Sequence, residues 1–222
     1  MTAQDKELVV SYLTLRQMIG WVAILMPAAI RIGAFHFEHI HSTNSISAYY
    51  YTGMRDVFVS TLVLAGALIA CYRTPARSDN VVAIIAGLAA IGIGLFPMSP
   101  VYAQEILDQF PSMTERLCYE SHGILGYHFY FVAVFFALAF YLVYFRFSAF
   151  TPREPTREKV LRNRVYKICG AVMLVGFVAI GVLHFLSKDA SIFWPESLAV
   201  IAFSAAWLVK GQIVLKDRRA AG

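Results

Sequence analysis

A small set of acids and histidines in apolar surroundings carries the residue types that could do chemistry. They are Asp56, His122, His128, His184 and Glu196. Ionisable side chains inside apolar runs are costly to place in a membrane and are functional candidates by default. Imidazole and carboxylate groups bind zinc and similar metals, and in a water-filled cavity they exchange protons. The sequence therefore predicts a polar pocket, with Arg55 and Ser60 as further candidates.

Structural interpretations compete with a functional role at each of these positions. Asp56 and Ser60 are four residues apart and share a helix face, where Asp56 beside Arg55 could instead form an interfacial ion pair at a helix N-terminus. His122 and His128 are separated by about 240° of rotation at 3.6 residues per turn, so they cannot chelate one ion as a pair. These two histidines could therefore be hydrogen-bonded packing residues.

Glu196 also has a structural interpretation. It follows Trp194-Pro195, which is typical of a helix start, and an acid there is favoured by the positive end of the helix dipole. Because Glu196 and the other span candidates come from four different apolar runs, their common location is more informative than any single residue.

Three more histidines, His36, His39 and His41, follow the first apolar run. Their spacing does not form HExxH, and no cysteine joins them. We expect a solvated loop here, with a zinc site at the three histidines as the alternative. No other cofactor is predicted, because two bis-histidine haem sites would need four suitably placed histidines within spans.

The elements that must position these residues follow from composition. Hydrophobic residues make up 59% of the 222-residue chain and charged residues 15%, against about 45–50% and about 25% in soluble domains. Mean hydropathy is +0.61. Runs long enough to cross a bilayer need about 20 residues, and six are present: 17–35, 54–72, 81–97, 121–145, 168–187 and 192–209. We predict an all-α, polytopic membrane bundle of six transmembrane helices in a single domain.

Orientation follows from the basic residues. With a cytoplasmic N-terminus, all but four of the 19 Lys and Arg lie on the cytoplasmic side; the exceptions are Arg31, Arg55, Arg116 and Lys188. Both termini are therefore predicted to be cytoplasmic, and the first apolar run to be a retained helix rather than a signal peptide. The net charge of +5 reflects topology, so no nucleic acid partner is predicted. The basic segment 146–167 sets topology or, alternatively, binds anionic lipid headgroups.

Two residue patterns concern packing and the membrane interface. Small residues recur every four positions on three runs and would let helices approach closely, within one chain or between copies in a homo-oligomer. These residues are Ala86, Ala90 and Gly94, Gly66 with Ala70, and Ala202 with Ala206. Tyr49, Tyr50, Tyr51 and Trp194 are predicted to lie in an interfacial aromatic belt.

Two segments carry a resemblance to known proteins. Residues 45–58, Ser-Ile-Ser-Ala-Tyr-Tyr-Tyr-Thr-Gly-Met-Arg-Asp-Val-Phe, and residues 162–170, Arg-Asn-Arg-Val-Tyr-Lys-Ile-Cys-Gly, resemble a family of uncharacterised bacterial six-span proteins. An Ile-Ser segment before a second span is more distantly similar to the Frag1/DRAM/Sfk1 group and the related DUF998, although Ala48-Tyr49 stands where Asp-Thr is expected. The resemblance implies a bacterial cytoplasmic (inner) membrane location, lipid partners and a role in lipid handling or trafficking.

Three functions remain open at this point. The first is a lipid-associated or sensing bundle in which Asp56, His128 and Glu196 line an outward-facing pocket. The second is a metal-dependent membrane hydrolase acting on a lipid, with zinc held by Asp56 and histidines while Glu196 activates water. The third is an ion channel or proton-coupled transporter, for which the inner half offers no ionisable partner apart from Lys210.

Overall fold

The computed structural model of the protein describes residues 3–99, 126–149, 155–186 and 190–216. These residues form six α-helices and no strand, so the described fold is all-α, as predicted. The helices are α1 (Ala3–Glu38), α2 (Arg55–Ala70), α3 (Arg77–Leu95), α4 (Gly126–Tyr141), α5 (Arg157–Leu186) and α6 (Phe193–Lys210). A π-helical turn, Leu142–Arg146, continues α4, and a 3₁₀ helix, Ser47–Tyr51, lies between α1 and α2.

The six predicted apolar runs each fall largely on one of these helices; the first positions of the fourth run, 121–125, lie outside the described residues. The helices begin or end near charges, as at Arg55, Arg77 and Lys210, because charged side chains are unfavourable in a bilayer core. α1 is much longer than its run. Its 36 residues extend about 54 Å at 1.5 Å per residue, whereas the core is about 30 Å thick.

Four stretches are long and apolar enough to cross a membrane: Ser11–Glu38, Arg77–Leu95, Gly126–Arg146 and Arg157–Leu183. Large apolar side chains also point away from the bundle along several helices. Examples are Leu25, Ile32, Leu88, Val175 and Leu198, all exposed. Apolar surface on this scale is typical of a protein that contacts lipid, and with the four stretches it indicates a membrane protein.

The helices pack in a closed ring. Each helix contacts the next one in the chain, from α1 to α6, and α6 returns to pack along α1. The described helix ends alternate between two ends of the bundle. One end, here called the loop end, holds the segment between α1 and α2 and the start of α6, where the backbone oxygen of Asn44 accepts hydrogen bonds from Ile192 and Phe193. The opposite end, here called the basic end, brings together Arg16, Arg146 and Lys210.

Each end has its own apolar cluster. At the loop end the cluster is built around Tyr49, Tyr51 and Phe58, which are fully buried. At the basic end it is built around Trp207, whose ring centroid lies 4.8 Å from that of Tyr72 and 5.0 Å from that of Phe147. Aromatic edge-to-face contacts of this kind fix ring positions as well as burying area.

Small residues determine how closely α2 and α3 approach. A Cβ atom at Gly66 or at Gly87 would clash with the backbone oxygen of the other glycine, so the two helices touch through their backbones. The small residues predicted to pack helices, Ala86, Ala90, Gly94, Ala202 and Ala206, are buried within this chain. A homo-oligomer remains a prediction, and it would need other surfaces.

One expectation about the basic end is wrong. Lys210 is not the only ionisable group there, because Asp79 is fully buried with Arg146 Nε 2.6 Å from its Oδ1. Arg16 lies beside them. Asp79 precedes the third apolar run and so escaped notice as a residue of the bundle interior.

Candidate functional site

The segment between α1 and α2 is folded into the bundle instead of lying in solvent. All five residues of its 3₁₀ helix, Ser47–Tyr51, are buried. Hydroxyl groups add to its backbone hydrogen bonds: Thr43 Oγ1 donates to the backbone oxygen of Ser45 at 2.7 Å, and Thr52 Oγ1 donates to that of Tyr49 at 2.8 Å. Short hydroxyl side chains favour such local turns over longer helices.

The placement of the tyrosines in an interfacial belt is therefore wrong. Tyr49, Tyr50 and Tyr51 are almost wholly buried against helices, and only Trp194 is exposed as predicted. Burial raises the pKa of Tyr51, so its hydroxyl stays protonated and donates a hydrogen bond to the backbone oxygen of Met98. This bond joins the segment to the chain just beyond α3.

Glu196 binds this segment from the first turn of α6. Its Oε2 accepts a hydrogen bond from the backbone N–H of Ile46 at 2.6 Å, and its Oε1 accepts one from Ser45 Oγ at 3.2 Å. Bonds to a carboxylate are stronger than bonds between neutral groups. In the opposite direction, the backbone oxygen of Asn44 accepts hydrogen bonds from the backbone N–H groups of Ile192 at 2.7 Å and Phe193 at 3.0 Å. The start of α6 and the segment are thus held together from both sides.

His128 meets the same segment from the first turn of α4, and its side chain is 2% exposed. Its Nδ1 lies 2.8 Å from the backbone oxygen of Phe96, and its Nε2 lies 2.9 Å from Ser47 Oγ. A carbonyl oxygen can only accept, which assigns a proton to Nδ1. Burial disfavours a second proton, which would give the ring a charge, so Nε2 accepts the Ser47 hydroxyl proton. The ring is accordingly a neutral imidazole with both nitrogens engaged.

Ser45 and Ser47 join these two residues into one structure. The backbone N–H of Ser47 donates to Ser45 Oγ at 3.0 Å, so hydrogen bonds run from Glu196 through the two serines to His128. We call Ser45, Ile46, Ser47, His128 and Glu196 the outer network. It ties α4, α6 and the end of α3 to the segment between α1 and α2.

The outer network unites two of the predicted site residues through serines that were not predicted to belong to the site. A signal was present, since two serines two residues apart stand at the start of an otherwise aromatic stretch. Serines in such surroundings need hydrogen-bond partners once buried, and the nearest unassigned partners were the spans' own polar residues.

Arg55, Asp56 and Ser60 are not part of this network. Arg55 donates to the hydroxyl of Tyr50 at 2.9 Å, and its guanidinium lies 4.7 Å from the centroid of that ring. Asp56 is exposed on α2, and its carboxylate has no partner among the described residues. Ser60 is also exposed and bonds to the backbone oxygen of Asp56, so the shared helix face exists without a pocket.

The side chains of the two remaining predicted site residues lie outside the described part of the structure. His122 lies outside the described residues, and of His184 only its place in α5 is described. The predicted convergence of four spans on one pocket thus remains a prediction for these two.

The three histidines after the first run are exposed and point to separate neighbours. His36 contacts Phe37 edge-on and His41 tilts against Phe35, while His39 has a left-handed backbone with φ of 58°. In the described ranges, no three His, Cys, Asp or Glu side chains form a group that could hold a metal. Zinc at these histidines therefore gains no support from the described part of the chain.

Comparison with known proteins assigns neither a family nor a function to the chain. No protein-family model, curated protein or solved structure matches the chain. What the protein does must therefore be inferred from its own residues.

Proposed function

We propose that this protein is a six-span membrane protein, with both termini in the cytoplasm, that associates with and senses lipid rather than catalysing a reaction. The alternation of helix ends supports six spans, since α2 and α6 lie in the same ring as the four longer apolar stretches. The concentration of Lys and Arg at one end supports the orientation. A bacterial inner membrane fits the family resemblance.

The observation that carries the non-catalytic part of the proposal is that the outer network is occupied with holding the protein together. Both ring nitrogens of His128 and both carboxylate oxygens of Glu196 are engaged with the protein itself. A general base or metal ligand needs a free lone pair near the reacting group. The His128 ring has none left, and the Glu196 oxygens hold a segment in place. The predicted hydrolase and transporter have no comparable observation in their favour.

A sensing role follows from what the outer network holds. The segment 40–54 lies at the loop end, where amphiphile headgroups would meet the protein. A headgroup that competes for Glu196 or Ser45 would loosen the segment from α6 directly. It would also disturb the contact with α4, because Ser45 Oγ accepts the backbone N–H of Ser47, the serine that contacts His128. The response would be a shift between two arrangements of the segment, biased by the ligand.

The topology is tested by cysteine labelling in intact cells, with the native cysteines replaced by alanine. His41 and Lys216 are exposed positions at opposite ends. An impermeant maleimide should label the His41→Cys protein and should leave the Lys216→Cys protein unlabelled until the membrane is opened. Labelling of both, or of Lys216→Cys alone, would refute the orientation.

Lipid association is tested with delipidated protein in detergent. Adding membrane lipid should raise the unfolding temperature in a concentration-dependent manner, because a ligand that binds only the folded state stabilises it by mass action. The added lipid should be recovered chemically unchanged. An unfolding temperature independent of lipid contradicts association, and lipid hydrolysis that depends on His128 or Glu196 contradicts the non-catalytic assignment.

A further inference from the structure

A cavity of about 310 Å³ lies at the basic end, opposite the outer network. Its volume is at the lower end of the range of about 300–1,000 Å³ typical of small-molecule sites. The polar and aromatic side chains in its wall come from α1, α3, α6, the π-helical turn and the residues after α2. The ones that matter here are Tyr12, Arg16, Tyr72, Asp79, Arg146 and Lys210.

The wall of this cavity carries more positive than negative charge. Asp79 is the only carboxylate among the described residues that line it, and that carboxylate is fully buried and paired with Arg146. Arg16 and Lys210 have no acid of their own in the wall. Lys210 Nζ donates to the backbone oxygen of Phe147 at 2.8 Å, which satisfies one donor but compensates no charge.

Arg16 is held in place with donor capacity to spare. Its guanidinium carbon lies 4.2 Å from the ring centroid of Tyr12 and 5.6 Å from that of Tyr72, and these two rings stack on each other. One terminal nitrogen donates to the backbone oxygen of Lys210 at 3.3 Å. Its Nε is buried and has no hydrogen-bond partner in the described part of the chain. This nitrogen is itself shielded from the cavity, so a ligand there would be bound by the remaining N–H groups of the two terminal nitrogens.

These features together select an anion. A guanidinium held against two stacked aromatic rings and a neighbouring amino group present planar and point-like donors, the combination that recognises the oxygens of a phosphate group. The apolar surroundings strengthen the attraction relative to water. A metal cation would be repelled by the excess positive charge.

We propose that this cavity binds a phosphate group, with Arg16 and Lys210 as its ligands. Arg146 is held in position in the cavity wall by its ion pair with Asp79. The phosphate belongs to an anionic lipid headgroup or is a free phosphate ion, and the chemistry of recognition is the same for both. The lipid source rests on the proposed lipid association, while the site itself does not. Nor does it depend on the outer network.

The test uses the full chain in nanodiscs of neutral phosphatidylcholine. Inorganic phosphate is titrated in one arm, and in the other the nanodiscs contain increasing phosphatidylglycerol. Unfolding temperature and intrinsic fluorescence are followed, because Trp207 packs against Tyr72 in the cavity wall. We expect saturable stabilisation in at least one arm; the first arm identifies a free ion and the second a lipid headgroup.

The variants are Arg16→Gln and Lys210→Gln, with Arg31→Gln as the matched control. Arg31 is also an arginine near aromatic rings, 5.1 Å from the centroid of Phe193, but it lies at the loop end. We expect each cavity variant to weaken the saturable response at least tenfold and the control to retain it. Lys210→Gln keeps the proposal testable if Arg16→Gln fails to fold.

Two outcomes would overturn the site. One is the absence of a saturable response in both arms, and the other is an equal loss in Arg31→Gln and the cavity variants. If neutral lipid stabilises the protein while phosphate and anionic lipid add nothing, the cavity proposal fails and lipid association stands. If phosphate binds but lipid has no effect on stability, the cavity proposal stands and lipid association fails.

Discussion

The two ends of this bundle handle their polar groups in opposite ways. At the loop end, Glu196 and His128 are hydrogen-bonded to Ser45, Ser47 and backbone groups, so every ring nitrogen and carboxylate oxygen of the two side chains has a partner. At the basic end, three basic side chains line an open cavity that has one carboxylate among its described residues, and of the three only Arg146 pairs with it. Polar residues buried in a membrane bundle thus serve structure where they saturate one another and binding where they do not. Residue type alone does not separate the two cases.

The largest expected effect comes from the basic end. Asp79→Asn should lower the free energy of unfolding by about 2–3 kcal/mol, because Arg146 loses its only ion-pair partner among the described residues. Breaking a buried pair costs about 3–5 kcal/mol, and we expect less here since the Arg146 side chain is 27% exposed. Denaturant unfolding in micelles measures the loss.

A double-mutant cycle with Arg146→Gln checks the cause. The double variant should be less destabilised than the sum of the single variants, because the two groups act on each other. Strict additivity would mean that the pair makes no net contribution.

Glu196→Gln should have the next largest effect, a loss of about 2 kcal/mol. The amide keeps one acceptor but faces either Ile46 N–H or Ser45 Oγ with its NH₂ group, and a hydrogen bond to a charged group contributes about 1.5–3 kcal/mol. Asp56→Asn is the matched control, since Asp56 is also a first-turn acid but is exposed. Equal losses in both variants would remove Glu196 from any special role at the loop end.

Ser47→Ala sharpens the comparison further, with an expected loss of about 1 kcal/mol. It leaves Nε2 of the buried His128 without a donor, and an unsatisfied buried acceptor costs about 1–3 kcal/mol. Ser60→Ala, on the exposed face of α2, should change the unfolding free energy by less than about 0.5 kcal/mol. The same unfolding assay compares the two, and a larger loss for Ser60→Ala would contradict the assignment.

The smallest effect is expected for Arg55→Gln, about 0.5 kcal/mol. Arg55 is exposed and contacts only the ring and hydroxyl of Tyr50 among the contacts described, and exposed cation–π contacts contribute about 0.5–1 kcal/mol. Stability measurements should hardly register the change. A loss above 2 kcal/mol would show that Arg55 belongs to the loop-end structure after all.

The sequence predicted which residues form helices better than it predicted which helices contact each other. The charges at Arg55, Arg77 and Lys210 located helix ends, because a charge inside a lipid-facing turn is strongly disfavoured. No periodicity showed that α6 packs on α1, since lipid and protein are equally apolar and leave every face of a span hydrophobic. The ring therefore became visible only in the structure.

The candidate site was predicted in part and for a clear reason. His128 and Glu196 were identified because ionisable residues stand out within apolar runs, whereas Ser45 and Ser47 lie between runs and look like ordinary loop residues. Asp79 escaped for the same reason, following Arg77 and Ser78 in what reads as a polar turn. Burial of a connecting segment depends on tertiary packing, which local sequence does not encode.

The glycine contact between α2 and α3 has a mechanical consequence. Two helices whose backbones touch at Gly66 and Gly87 cannot slide or rotate independently without a collision of main chains. The two helices therefore behave as one rigid unit within the ring.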